Sequence, residues 1–460
     1  MKTMRFAACA GSLALLAAIP AGAVTIHRLD VASPLVITDA EVKDLAREMT
    51  AWMAVRITNF AWDVACPDVV FIPGGPVRKI DASDSGTYDA LVKELRAKAP
   101  GANVMFVSNI EDCSGVPGAI GCGAVGDEPF VVVAYRPYDS LLWLHERGHN
   151  VGLGHAGIDP AEQNVEQRIM YPSVSETSVG KTGSECGNYV TPPNALVSVE
   201  KKSAASAPAA ALAPAASSSP AADGDYSSVV DAMRKRIADA REKSGLTKRA
   251  YEVVALPWVH QVPVEAIRQL DDNDLKSVRG LFDKPLNPFQ VQAIRTLSII
   301  GNADDVALIE KALKKPMPAV SSDSEAGRQA LRTARQIKLV APEALGLLAS
   351  RTKSTTAIET LKETADLGKA TTIAGPSDTL AADISRHSIK ALNLANTAAT
   401  DAFVKSALNV QSGTKSPKSF KIDNKTYTIA PLTADEVKRI KNVSEEIKKS
   451  SVDIYFKDSQ

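Results

Sequence analysis

Residues 145 to 155 read HERGHNVGLGH. His145, Glu146, His149, Gly152 and His155 follow the spacing H-E-x-x-H-x-x-G-x-x-H. On a helix, His145 and His149 stand one turn apart on one face, so both imidazoles reach a single metal ion, while Glu146 flanks them where it can act on water. His155 cannot join from the same straight helix, because at about 1.5 Å of rise per residue it would lie ~15 Å beyond His145. The chain must turn back, and Gly152 permits this, since glycine adopts a left-handed backbone at little steric cost. The whole chain has six histidines, and three of them fall in this window beside the acid and the glycine. The reading is a Zn2+ site with three neutral imidazole ligands and one open coordination position. His27, His260 and His387 lack such company and read as surface or packing residues.

With that run in place, the sequence resembles the metzincin metallopeptidases, whose long zinc motif is followed by a methionine-containing turn beneath the metal. Met170, in Arg168-Ile169-Met170-Tyr171-Pro172-Ser173, fits the structural Met-turn. Its Met-Tyr-Pro run is similar to matrixins, whereas Asn150 is closer to adamalysins and gametolysins, so the subfamily stays open. Ala156 stands where several metzincin groups carry Ser, Asp, Glu or Pro, and the stretch from His155 to Met170 is long for a matrixin. Tyr171 directly follows the methionine, whereas a metal-binding tyrosine lies two residues after it, so no metal role passes to Tyr171. The resemblance covers residues 24 to 200. It implies an α+β zincin-like catalytic domain, with a mixed sheet and an active-site helix, that acts as a zinc metalloendopeptidase. Glu146 is then the general base, taking a proton from zinc-activated water and passing it to the departing amine. A peptide or protein substrate is expected to add as a strand along the sheet edge near that helix.

Lys2 and Arg5, the apolar stretch from Leu13 to Ile19, and Pro20-Ala21-Gly22-Ala23 read as a signal peptide over residues 1–23, which makes the protein secreted or periplasmic. Cys9 precedes the apolar stretch and does not fit a lipid anchor. No later segment offers about 18 consecutive apolar residues, so no membrane span is expected. Removing Cys9 leaves Cys66, Cys113, Cys122 and Cys186, an even number that suits an oxidising compartment. Cys113 and Cys122 bracket a Gly-rich loop and are the preferred pair, leaving Cys66 with Cys186, although sequence alone permits all three connectivities. Cys66-Pro67-Asp68 lacks the Arg and Gly that flank a cysteine switch, and a disulfide is the preferred reading. Basic and acidic residues balance at 53 each, with no basic patch interleaved with aromatics, so nucleic acid is not an implied partner.

Within residues 24–200, Thr38 and Glu41 form a capping box ahead of Val42, Leu45, Met49 and Met53 at helical spacing, which predicts a helix over residues 38–60. The apolar runs 69–72, 104–107 and 130–133 read as strands of a half-buried sheet, with a helix over residues 87–98 between the first two. Asp139 or Ser140 is expected to cap the active-site helix, and Leu141, Leu142 and Leu144 to anchor it.

Residues 201–225 are almost wholly Ala, Ser and Pro and read as a flexible interdomain linker. Residues 226–460 read as an all-α C-terminal domain with HEAT-like spacing, because a helix pair over residues 287–313 is followed by a second pair that starts near Ser324 and restarts after Pro342. A hairpin around Asp423-Asn424 and a closing polar helix complete the chain. The helical domain is expected to engage a protein partner and to take no part in bond cleavage, with the first 200 residues folding alone. The competing reading is a non-catalytic, zinc-containing module that works through the helical domain.

Overall fold

Thr38 and Glu41 start the first helix by satisfying each other's backbone. Thr38 Oγ1 accepts from the Glu41 amide at 3.2 Å, and Glu41 Oε2 accepts from the Thr38 amide at 2.9 Å. In the computed structural model, which describes residues 23–113, 116–117, 119–126, 128–133, 139–156, 167–171, 179–193, 199–203, 224–255, 264–410 and 416–449, this helix is α1 (Asp39–Ala54). It stops short of residue 60 because Asp63 Oδ2 accepts from the amides of Ile57 and Thr58 at 2.9 and 2.6 Å and folds the chain into a turn. Residues 1–22, which make up all but the last residue of the expected signal peptide, His260, Pro172, Ser173 and residues 204–223 of the expected linker lie outside the described residues.

The strands of the first half are β1 (Ala23–Leu29), β2 (Val31–Ser33), β3 (Val69–Pro73), β4 (Arg78–Lys79), β5 (Ser85–Thr87), β6 (Val104–Val107), β7 (Asn109–Cys113), β8 (Val116–Pro117), β9 (Gly121–Cys122), β10 (Phe130–Val133) and β11 (Glu200–Ser203). The helices are α1, α2 (Tyr88–Lys98), α3 (Asp139–Asn150) and α4 (Gly183–Val190). The main sheet runs β4-β2-β6-β10-β9, parallel throughout except for β9, which is antiparallel to β10 and forms one edge. A second sheet, β11-β1-β3, continues from β1, and β5-β7-β8 form a third. The central strands β6 and β10 are buried at every residue. The half-buried expectation is therefore corrected: near-continuous apolar runs such as VMFV and FVVV are the pattern of parallel strands covered on both faces.

The strand β11 corrects a boundary. Lys201 to Ser203 pair antiparallel with β1 and belong to the sheet. Charged edge strands hold their place through backbone pairing, which composition does not reveal.

The second half is helical: α5 (Gly224–Ser244), α6 (Lys248–Val254), α7 (Val264–Arg268), α8 (Asp272–Gly280), α9 (Phe289–Ile300), α10 (Ala303–Lys314), α11 (Glu325–Thr352), α12 (Thr355–Ala365), α13 (Leu367–Ala374), α14 (Asp378–Ala395), α15 (Ala398–Val410) and α16 (Ala434–Lys449). The pair α9–α10 is present, with Gly301 ending the first helix and Asn302 capping the second. The second pair is absent. Residues 325–352 form one helix that runs through Pro342, because buried Leu339, Val340, Ala341, Leu345 and Leu348 hold it on both sides of the proline. That burial outweighs a lost hydrogen bond and ring clash of about 3 kcal/mol. The hairpin β12 (Lys418–Ile422) and β13 (Lys425–Ile429) turns at Asp423 and Asn424, both at positive φ, as a two-residue turn requires.

The helical half packs against the sheet half. One continuous apolar core runs from Leu29 to Ile440. Charged groups cross the same junction: Arg236 meets Glu48 at 3.0 Å, Arg332 meets Glu41 at 3.2 Å, and Arg335 grips Asp84 through Nε and Nη2. Arg332 also lies over the Phe106 ring, 5.2 Å from its centre, covering a strand of the main sheet. Among the described residues, no helix is long and apolar enough to cross a membrane.

Candidate metal centre

Helix α3 is buried along its whole length. Leu141, Leu142 and Leu144 are at most 1% exposed, and Trp143, which lies between them, packs its ring against Phe106 and Phe130. Asp139 and Ser140 both lie in the first turn of the helix. Asp139 places a negative charge where the helix dipole favours one.

The helix ends as its glycine requires. Gly152 has φ +91°, its amide donates to His149 O at 2.9 Å, and the Leu153 amide donates to Gly148 O at 3.0 Å. This is a Schellman ending, and it reverses the chain so that His155 returns over the helix. One ring nitrogen from each of His145, His149 and His155 then lies within 4.8 Å of the others. His145 Nδ1 donates to Ile169 O at 2.8 Å, and His149 Nδ1 to Leu153 O at 2.9 Å. A carbonyl only accepts, so in the neutral rings each Nδ1 carries the hydrogen and each Nε2 is left as the ligand atom. The donor set and its tautomers fit a metal ion, and these three residues can hold one.

Glu146 is fully buried beside them. Burial pushes its carboxyl up to about 8, opposed by nearby His149 and by a hydrogen bond from the Gly123 backbone. The strand edge comes so close that a Cβ on Gly121 would lie 2.0 Å from Glu146 Oε1, and one on Gly123 2.7 Å from Glu146 O. Only glycine fits this approach. The Cys113–Cys122 disulfide ties the same segment back to β7.

Met170 is buried beneath α3 against Gly148, where a Cβ would lie 2.3 Å from its Sδ. Its carbonyl accepts from the Ala156 amide at 2.9 Å and so supports the segment that carries His155. Behind the helix, Tyr189 Oη donates to Leu144 O at 2.6 Å, His27 Nε2 donates to Tyr189 O at 2.9 Å, and Arg147 Nε donates to His27 Nδ1 at 3.3 Å. Burial first, then the Arg147 charge, lowers His27 to about 3 and keeps it neutral. His387 is likewise a packing residue, against Ser85 and Glu111.

Sequence reasoning missed the supporting shell: Ile169 O, Leu153 O, Gly121, Gly123, and the group Arg147, His27 and Tyr189. The repeated glycines between Cys113 and Cys122 were visible as a loop. Their approach to Glu146 depends on strand order, which local pattern does not encode. Both disulfides form as preferred, Cys113 with Cys122 and Cys66 with Cys186. Cys66 is therefore no switch thiol. No protein-family model matches this chain, and no curated protein matches it either.

Proposed function

We propose that the chain is an exported, metzincin-like zinc endopeptidase. The observation that carries this reading is the convergence of His145, His149 and His155 with a buried glutamate one residue from the first ligand. Zinc in a three-histidine site acts as a Lewis acid toward a carbonyl and toward water. Glu146, which lies beside Gly123, takes a proton as water oxygen bonds to the scissile carbonyl carbon. It returns that proton to the amine nitrogen as the C–N bond breaks. Burial favours the protonated form of Glu146 between these steps, and the charge of a metal beside it favours the carboxylate at the start. Strand β9 ends the main sheet with no second strand partner among the described residues, and its Gly121 lies against Glu146, which suits an extended peptide paired to β9 by its backbone. The helical half braces the sheet and offers a surface for a protein partner.

The test uses the purified full chain. Metal content is measured, and a denatured protein mixture is digested with cleavage sites mapped by mass spectrometry. The expected result is one zinc per chain and proteolysis that falls by several orders of magnitude in Glu146→Ala while zinc stays bound. Wild-type cleavage by that variant sinks the mechanism. A zinc-bearing chain that cleaves nothing supports the non-catalytic binding module instead.

A further inference from the structure

The main sheet has two edges, and the second one also borders a cavity. Opposite β9, strand β4 and the loop at residues 34–36 face helices α11 and α14 across a space of about 600 Å³. That is within the usual range for small-molecule sites, and junctions between packed units are where such sites tend to lie.

The lining mixes cationic and apolar residues. Lys79 comes from the strand side, and Arg328, Arg332 and Arg335 come from one face of α11. Arg328 and Arg332 are buried and share the single carboxylate of Glu41 at 3.1 and 3.2 Å, while Asp84 answers Arg335. Lys79 has no ion-pair partner among the described residues, and Asp81 is the one carboxylate in the lining. The three arginines are also held by the carbonyls of Ser322, Asp323 and Val36 and by the Ser377 hydroxyl, so Lys79 is the cation best placed to meet a ligand. The N-terminus of the eighteen-residue α14, capped by Ser377 and opening with Asp378, borders the same space. Apolar Leu35, Met317 and Leu331 stand among these charges, and Val36, 45% exposed, accepts from Arg332 through its carbonyl at 2.6 Å.

We infer that this cavity binds a small amphiphilic anion, a carboxylate or phosphate head among Lys79 and the arginines with a short aliphatic tail against Leu35, Met317 and Leu331. The walls come from both halves of the chain, so a bound ligand clamps the junction. The site is independent of the metal centre and of the activity proposed for it.

The test is calorimetric titration of the full chain with octanoate, octyl phosphate and inorganic phosphate, and with octylammonium as the oppositely charged control. One octyl anion is expected to bind per chain, more tightly than inorganic phosphate, and octylammonium is expected not to bind. Preference between octanoate and octyl phosphate identifies the head group. Lys79→Glu, at an exposed position, should weaken binding by about tenfold or more. Ala82→Trp, which fills the cavity from its strand side, should abolish it, with folding of both variants checked by circular dichroism. The inference is overturned if neither octyl anion binds saturably, if octylammonium binds as well as the anions, or if the folded Ala82→Trp variant binds them like wild type.

Discussion

Glu111 of β7 and Lys390 of α14 stand 279 residues apart in sequence and meet at 2.6 Å, with most of each side chain withdrawn from solvent. Burial disfavours the Glu111 charge, yet Lys390 and His387 hold its carboxyl well below the ordinary range. Removing one partner leaves the other charged and buried. Lys390→Ala is expected to cost about 3 kcal/mol in urea unfolding. Lys390→Ala combined with Glu111→Gln should recover part of that loss, and a double variant as unstable as the sum of the singles would show that the pair is not coupled.

The same relationship revises what truncation should do. A chain ending at residue 203 loses Arg332, Arg335 and Lys390, which neutralise Glu41, Asp84 and Glu111. It also exposes the apolar surface that the helices cover. We expect such a fragment to lack native near-ultraviolet circular dichroism and to bind no stoichiometric metal. A folded, metal-bearing fragment would restore the independent catalytic domain.

Asp383 provides a pH signature of the junction. Burial, against the favourable Arg386 charge and with Asp84 repelling, pushes its carboxyl up to about 6. A carboxyl raised in the folded state contributes stability that is fully present below its ordinary range and is lost as pH rises through about 6. Asp383→Asn removes that cost. Its Tm should exceed that of wild type by several degrees at about pH 8 and converge on it near pH 4. A constant offset at all pH values would exclude Asp383 as the titrating group.

Gly121→Ala tests the approach of the strand edge to Glu146. The added methyl would sit 2.0 Å from Oε1, so either the carboxylate or β9 must move. A displacement of about 1 Å commonly costs two orders of magnitude in rate. The peptidase turnover proposed for this site should therefore drop about a hundredfold, with metal content unchanged. His155→Ala should behave oppositely, losing zinc itself, and full zinc occupancy in that variant would remove His155 from the ligand set.

The two disulfides should separate stability from activity. Cys66–Cys186 closes a loop of 120 residues and Cys113–Cys122 one of 9. Loop-closure entropy assigns the longer one roughly 4 kcal/mol or more and the shorter one roughly 2 to 3. Serine replacement of the first pair should lower Tm more, whereas replacement of the second should lower turnover more, because it frees the glycine edge beside Glu146. Thiol titration of an unfolded chain beginning at Val24 should find no free cysteine.

Much of this molecule is written in short stretches. The ligand spacing of His145, His149 and His155, the left-handed Gly152, the capping box of Thr38 with Glu41 and the turn at Asp423-Asn424 each depend on residues a few positions apart. Backbone sterics and local hydrogen bonds decide such features wherever the chain goes. Tertiary structure decided the rest. Pro342 sits inside a helix because burial on both sides outweighs its local cost. Lys201 to Ser203 became a strand because β1 offered an unpaired edge. The helical half became a wall of the sheet because Glu41, Asp84 and Glu111 needed charges that only distant residues supply. Pairings of that kind depend on which surfaces meet after the chain closes on itself, and no window of sequence contains both partners.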